Sequence, residues 1–211
     1  MKRLTAFSLA AVLTLSLTAC GGGEDAAGGG GMTEEEMLEM AENIDTSYLA
    51  RDTYENAAKA QETYCGQILE VTGVVDQIET DHVQLAVNGV YVDLFFPTEE
   101  FTELTSNQQI TVVGRMGEEL TGGPVEYHYT MSEGYVTADR FEVSGALHGP
   151  NSSDPSAYNF DDGTPYLKLV YFQDGVDVSS IDGDVRLSGK LIQKNVMGVD
   201  SYEIQDAVIV E

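Results

Sequence analysis

Three histidines, two cysteines and many carboxylates are the side chains from which this chain could build chemistry. His82, His128 and His148 stand far apart, and none has a neighbour at metal-ligand spacing. There is no Gly-x-Ser-x-Gly elbow and no Cys–His–Asn set that the sequence brings together. Carboxylate pairs recur so often that they single out no acid/base couple. Asp174, Asp177, Asp182 and Asp184 form an acidic stretch, but it lacks the twelve-residue spacing and terminal Glu of a calcium loop. The residues therefore point to no catalytic constellation, no metal site and no cofactor.

Cys20 is different. Lys2 and Arg3 precede sixteen uncharged residues, Leu4 to Ala19, and Leu17-Thr18-Ala19-Cys20 closes the run. A membrane span needs roughly 20 apolar residues, so this segment is short for one. It has the form of a targeting signal and resembles the lipobox of bacterial lipoproteins. That resemblance implies cleavage before Cys20, a diacylglyceryl group on its thiol, and a chain held on the extracytoplasmic side of a bacterial membrane. Residues 21–31 are seven Gly, two Ala, Glu24 and Asp25, a composition with nothing to pack. Such a stretch is a flexible tether.

Charge narrows the partners. The chain carries 10 Lys and Arg against 36 Asp and Glu, a net −26, and −28 once Lys2 and Arg3 leave with the signal (8 − 36). Binding a phosphate backbone requires cations that displace counterions, so no nucleic acid is expected as a partner. The anchor, and not the surface, is expected to hold the protein at a membrane. Once Cys20 is lipidated, Cys65 has no cysteine to pair with, and a buried structural thiol is expected there.

Thr33-Glu34-Glu35-Glu36 has the spacing of a capping box, and Met37, Met40, Ala41, Ile44 and Tyr48 follow at helical intervals. A second capping pattern at Asp52–Glu55 is read as opening a helix over 56–64. Beyond Gly66 the periodicity becomes that of strands: 68–75, then 83–87 and 90–96 around the hairpin pair Asn88-Gly89. Residues 110–116 and 135–143 follow, with a short helical turn over 97–104. Leu69–Val75 recurs as Phe141–Leu147 (offset 72) and Tyr91–Phe96 as Tyr166–Tyr171 (offset 75). Ile110–Met116 recurs as Val185–Leu191 (75), and Tyr135-x-x-x-Asp139-x-x-x-Val143 as the pattern from Tyr202 to Val210 (67). An internal repeat is expected. Its second copy is reduced, with no convincing second strand in the proline-bearing stretch 149–165 and little helix over 173–183. The drop in offset from 75 to 67 reads as eight extra residues in the first copy, within 117–134.

Five strands with a helix between the third and fourth is the layout of an OB-fold, a partly open Greek-key barrel. Residues 33–143 also resemble the tRNA_anti-like family of bacterial envelope proteins and lipoproteins, named for a likeness to transfer-RNA anticodon-binding OB domains. The resemblance rests on Asn56, Ala60, Tyr64-Cys65-Gly66, Val71-Thr72-Gly73-Val74-Val75 and Val113-Gly114-Arg115. Gln67 stands where that family often has a basic residue. The resemblance implies fold, and it brings no common reaction with it.

The expected molecule is mainly β with an N-terminal helical segment and tandem OB-fold-like five-stranded barrels, the second reduced. Its divisions are a signal over 1–19, a linker over 20–32, a helix and first barrel over 33–145, and a second barrel over 141–211. A strand near 141–145 is expected to be shared. OB-folds bind on the face of strands 2 and 3 and with the neighbouring loops. The candidate ligand surface is accordingly Tyr91 and Phe95 on strand 3 and Tyr127, His128 and Tyr129 in the connection before the last strand. The expected function is non-enzymatic binding of a protein or small ligand. An OB-type nucleic-acid or oligosaccharide binder and an envelope enzyme's accessory domain are the rival readings.

Overall fold

The computed structural model describes residues 31–41, 43–165, 168–178, 181, 183–196 and 199–210. Cys20, the signal, the linker up to residue 30, Tyr166, Leu167 and Asp182 lie outside the described residues. Gly31–Glu211 form one compact unit.

The capping box forms: the Thr33 amide donates to Glu36 Oε2 at 2.8 Å, and the Glu36 amide donates back to Thr33 Oγ1 at 3.3 Å. Helix α1 (Glu34–Ala41) then buries Met37 and Ala41 against Ile68 and Val113. Helix α2 (Leu49–Glu55) and helix α3 (Ala57–Tyr64) follow. The second capping pattern is displaced from the expected place. Asn56, extended at φ −159°, caps α3 by accepting the Lys59 amide at 3.1 Å. Asp52 instead lies inside α2 and accepts from Arg51 and from the Tyr64 hydroxyl.

The first barrel comprises β1 (Ile68–Ile78), β2 (Val83–Val87), β3 (Val90–Phe95), β4 (Gln109–Met116) and, beyond the three-residue β5 (Thr121–Gly123), β6 (Glu126–Ala138). Asn88 and Gly89 both have positive φ, 51° and 106°, as a two-residue hairpin of the primed type requires. β1 pairs with β2 and β4, β2 with β3 and β4 with β6; a parallel β3–β6 ladder closes the ring. This is the OB connectivity. Alternation sends Val83, Leu85, Val92, Leu94, Val112 and Met131 into the core. The turn between β3 and β4 is a 3-10 helix, Thr98–Phe101, with Phe101 and Leu104 packed on that core.

The second barrel repeats the same connectivity with β7 (Phe141–Pro150), β8 (Tyr158–Asp161), β9 (Lys168–Phe172), β10 (Gly183–Val196) and β11 (Val199–Ile209). It is closed, and β9–β11 is its parallel ladder. The second strand, not expected from sequence, is β8. It has four residues, and Phe160 alone among them is fully buried, too little periodicity to read between Pro155 and Pro165. The continuous strand expected over 135–143 divides at Asp139-Arg140: β6 ends in the first barrel, while β7 pairs only with β10 and β8. Next to this break the barrels are tied together. The Gln193 amide donates to Asn107 O at 2.7 Å, Gln108 bridges to Ile192, and the buried Gln108 carboxamide reaches Asp139 O at 3.3 Å.

Pairing registers test the repeat residue by residue. Leu69↔Gly114 and Val71↔Val112 correspond to Phe141↔Gly189 and Val143↔Leu187, the offsets of 72 and 75 read from sequence. Leu94↔Met131 corresponds to Val170↔Ile204, so β3 repeats at 76 and the last strand at 73 (204 − 131). The expected match for β3 is thus one residue out of register, and that for the last strand six. Between its last two strands the first copy is longer by two residues (75 − 73), and not by eight.

Candidate functional site

The outward face of β2, β3, β6 and β5 is built from cross-strand rows. Ala86, Tyr91, His128 and Thr121 are successive partners across four strands, and Gln84, Asp93 and Thr130 form the next row. Because side chains on a strand alternate, Tyr91, Asp93 and Phe95 point out while Val92 and Leu94 point in. The Tyr91 and His128 rings stack at 5.2 Å with 23° between planes. Both nitrogens of His128 face carboxylates: Nδ1 lies 3.3 Å from Asp93 Oδ2, and Nε2 2.8 Å from Glu126 Oε1. Gln84 Nε2 donates to the other Asp93 oxygen at 2.8 Å. Burial and the neighbouring charges of Asp76 and Glu126 raise the Tyr91 phenol above its ordinary pKa, so it remains a neutral donor.

The five expected surface residues separate into two groups. Tyr91, His128 and Phe95 face outward, with Phe95 45% exposed and stacked on His82 at 5.2 Å. Tyr129 does not: it is 1% exposed, and its hydroxyl lies 2.7 Å from Thr53 Oγ1 in the core. Tyr127 is part-buried against the same core. The reason is that residues 127–129 belong to β6 and not to a loop, so alternation sends the tyrosines inward and His128 outward. His82, in the turn between β1 and β2, stacks on Phe95 and lies 2.9 Å from Asp81 Oδ1. The sequence reading missed Tyr54. Its hydroxyl donates to Gly89 O at 2.7 Å, and its ring meets the core-side Tyr127 edge-on at 5.4 Å, joining α2 to the first barrel. A contact across 35 residues leaves no local pattern.

A second cluster lies in the second barrel. The Lys168 side chain is only 4% exposed, and its Nζ sits 2.7 Å from Asp162 Oδ1, also hydrogen-bonds Thr164 Oγ1, and lies 5.0 Å from the Tyr202 ring centre. Tyr202 donates to the other Asp162 oxygen at 2.8 Å. Burial pushes the Asp162 carboxyl up, but hydrogen bonds from Lys168, Thr164 and Tyr202 outweigh it and hold the group well below the carboxylate range. Burial, followed by the Asp162 bond, raises the Tyr202 phenol. The one trace in the sequence is a lysine inside an otherwise apolar strand run, Leu167-Lys168-Leu169-Val170. Cys65 is part-buried, and burial followed by the charge of Glu118 raises its thiol, which makes it a poor nucleophile. Among the described residues no group of three or more His, Cys, Asp or Glu is placed to hold a metal ion.

A closed Greek-key barrel with a β1-β2-β3-β6-β4 ring defines an OB-fold protein, of which this chain has two in tandem. The model of the tRNA_anti-like family matches residues 1–125, more than half of the chain, and the chain belongs to that family. The match ends at the β5–β6 turn and does not reach the second barrel. No curated protein matches the chain. Among solved structures, the tetrameric p202 HIN2 is similar at 12% identity over 70% of this chain and 94% of that one, with a TM-score of 0.22.

Proposed function

We propose that the chain is a non-enzymatic, lipid-anchored binding module that works on the extracytoplasmic side of a bacterial membrane. Its ligand, a protein or small molecule, is held on the outer face of β2, β3 and β6 in the first barrel. The observation that carries this reading is the outward Tyr91–His128 stack, bracketed by Asp93, Glu126 and Gln84, on the face where OB-folds bind. Family membership supports a binding role, and the lipobox-like segment ending at Cys20 supports anchoring. No helix among the described residues is long and apolar enough to cross a membrane. The excess of 36 acids over 10 bases opposes the alternative, a nucleic-acid ligand.

Two experiments test it. Cys20→Ala should move the chain from the detergent to the aqueous phase of a Triton X-114 partition; retention in detergent refutes the anchor. The immobilised full chain should retain an envelope component that Tyr91→Ala and His128→Ala both release. Equal retention by wild type and variants removes the face from the reading, and a salt-sensitive shift of single-stranded DNA or RNA at low ionic strength restores the alternative.

A further inference from the structure

A second concavity adjoins the Tyr91–His128 face at Ala86. Between the barrels is a cleft of about 1190 Å³, with β1, the β2–β3 turn and the start of β4 on one side and β9, β10 and β11 on the other. Ligand sites are typically concavities of roughly 300–1,000 Å³, often between structural units and lined by a few convergent polar groups, and this cleft is large enough to hold a small oligomer.

Its chemistry is set by what is already engaged. The charged side chains lining it are Asp45, Asp162 and Lys168. Asp45 is turned onto its own loop, accepting the Ser47 amide at 2.9 Å. Asp162 and Lys168 satisfy one another, so a charged ligand would have to compete with a buried ion pair. The cleft also offers the carboxamides of Gln109, Gln193 and Asn88, the Ser201 hydroxyl and the half-buried Tyr202 ring. Carboxamides donate and accept at once, and an aromatic ring supplies an apolar platform beside them. The edge of β1 beside the cleft is partly taken up. Glu70 O accepts from Thr46 Oγ1 at 2.7 Å, and β2 lies so close to Gly73 that a methyl there would stand 2.9 Å from Val87 Cγ2.

We infer that the interbarrel cleft is a binding site for an uncharged oligosaccharide, with acetamido and hydroxyl groups paired to Gln109 and Gln193 and a sugar ring set against Tyr202. This site is centred on Gln109, Gln193 and Tyr202, not on Tyr91 and His128, and uses both barrels at once.

The probe is tri-N-acetylchitotriose titrated calorimetrically into the full chain. Saturable binding is expected, weakened at least about tenfold by Gln109→Ala and by Gln193→Ala and unchanged by Tyr91→Ala. Gln193→Ala retains the backbone bond to Asn107, and thermal melting confirms that each variant is folded. Absence of binding at millimolar probe overturns the proposal, as does equal affinity in the glutamine variants. Loss of binding on Tyr91→Ala would transfer the sugar to the first-barrel face, and tighter binding of an uncharged tripeptide would replace the sugar; either result also overturns it.

Discussion

Thr53 Oγ1 and the Tyr129 hydroxyl lie 2.7 Å apart with both side chains buried, joining α2 to the wall of the first barrel. Thr53 also donates its hydroxyl to Leu49 O at 2.7 Å, so it keeps a partner if the phenol is lost. Tyr129→Phe is therefore expected to cost only about 1 kcal/mol, the net value of a hydrogen bond. Tyr129→Ala removes a buried ring and should cost about 3–5 kcal/mol, by analogy with Phe→Ala. Urea denaturation of the two variants separates these values, and a near-neutral alanine would place Tyr129 on the surface.

That pair also shows where sequence reading stops. The strands with strong β character, the Asn88-Gly89 hairpin and the α1 capping box were all legible because each is a local pattern. The β1 and β4 repeats were found in correct register because each copy carries a glycine at a barrel corner, Gly73 with Gly145 and Gly114 with Gly189. β3 and the last strand have no such marker. Their matches followed tyrosines and an aspartate, residues that outward positions tolerate in either register, and they slipped. The slip placed residues 117–134 in an enlarged loop, and so misplaced Tyr129. Half of the aromatic face was legible as strand alternation in β3. The Tyr54–Gly89 bond and the Asp162–Lys168–Tyr202 cluster depend on contacts across 35 and 40 residues, which no local periodicity records.

The corner glycines make a paired prediction. Neither Gly73 nor Gly145 has a positive φ, so the issue is space. A methyl at Gly73 would stand 2.9 Å from Val87 Cγ2 and 3.0 Å from Ala86 O; at Gly145 it would stand 2.3 Å from Asp161 O and 2.7 Å from Phe160 Cζ. Overpacking of this kind costs roughly 1–3 kcal/mol. Both alanine variants should melt below wild type, and Gly145→Ala further below, because the fixed carbonyl is closer. The reverse order would show that the β7–β8 pair yields more readily than β1–β2.

The Lys168–Asp162 pair contributes to stability on the acid side. The Asp162 carboxyl is held below its ordinary pKa in the folded chain, because the bonds from Lys168, Thr164 and Tyr202 outweigh the cost of burying it. A carboxylate shifted in this direction stabilises the fold above the unfolded-state value, about 4, and that contribution fades as pH falls through the folded value. Asp162→Asn removes the negative partner and leaves Lys168 facing an amide while 4% exposed. Breaking a buried pair from one side costs about 3–5 kcal/mol. Lys168→Met with Asp162→Asn removes both charges, and replacement of a whole pair is often close to neutral, so the double variant should recover part of the loss. The stability difference between wild type and Asp162→Asn should be full at pH 7 and shrink as pH falls below about 4, where Asp162 protonates in the unfolded chain while it is still ionised in the folded one. Urea denaturation at a series of pH values measures it. A difference that stays constant down to pH 2 would mean that the carboxylate charge is not what Asp162 contributes, and the hydrogen-bonded geometry shared by asparagine and aspartate would then account for the cluster.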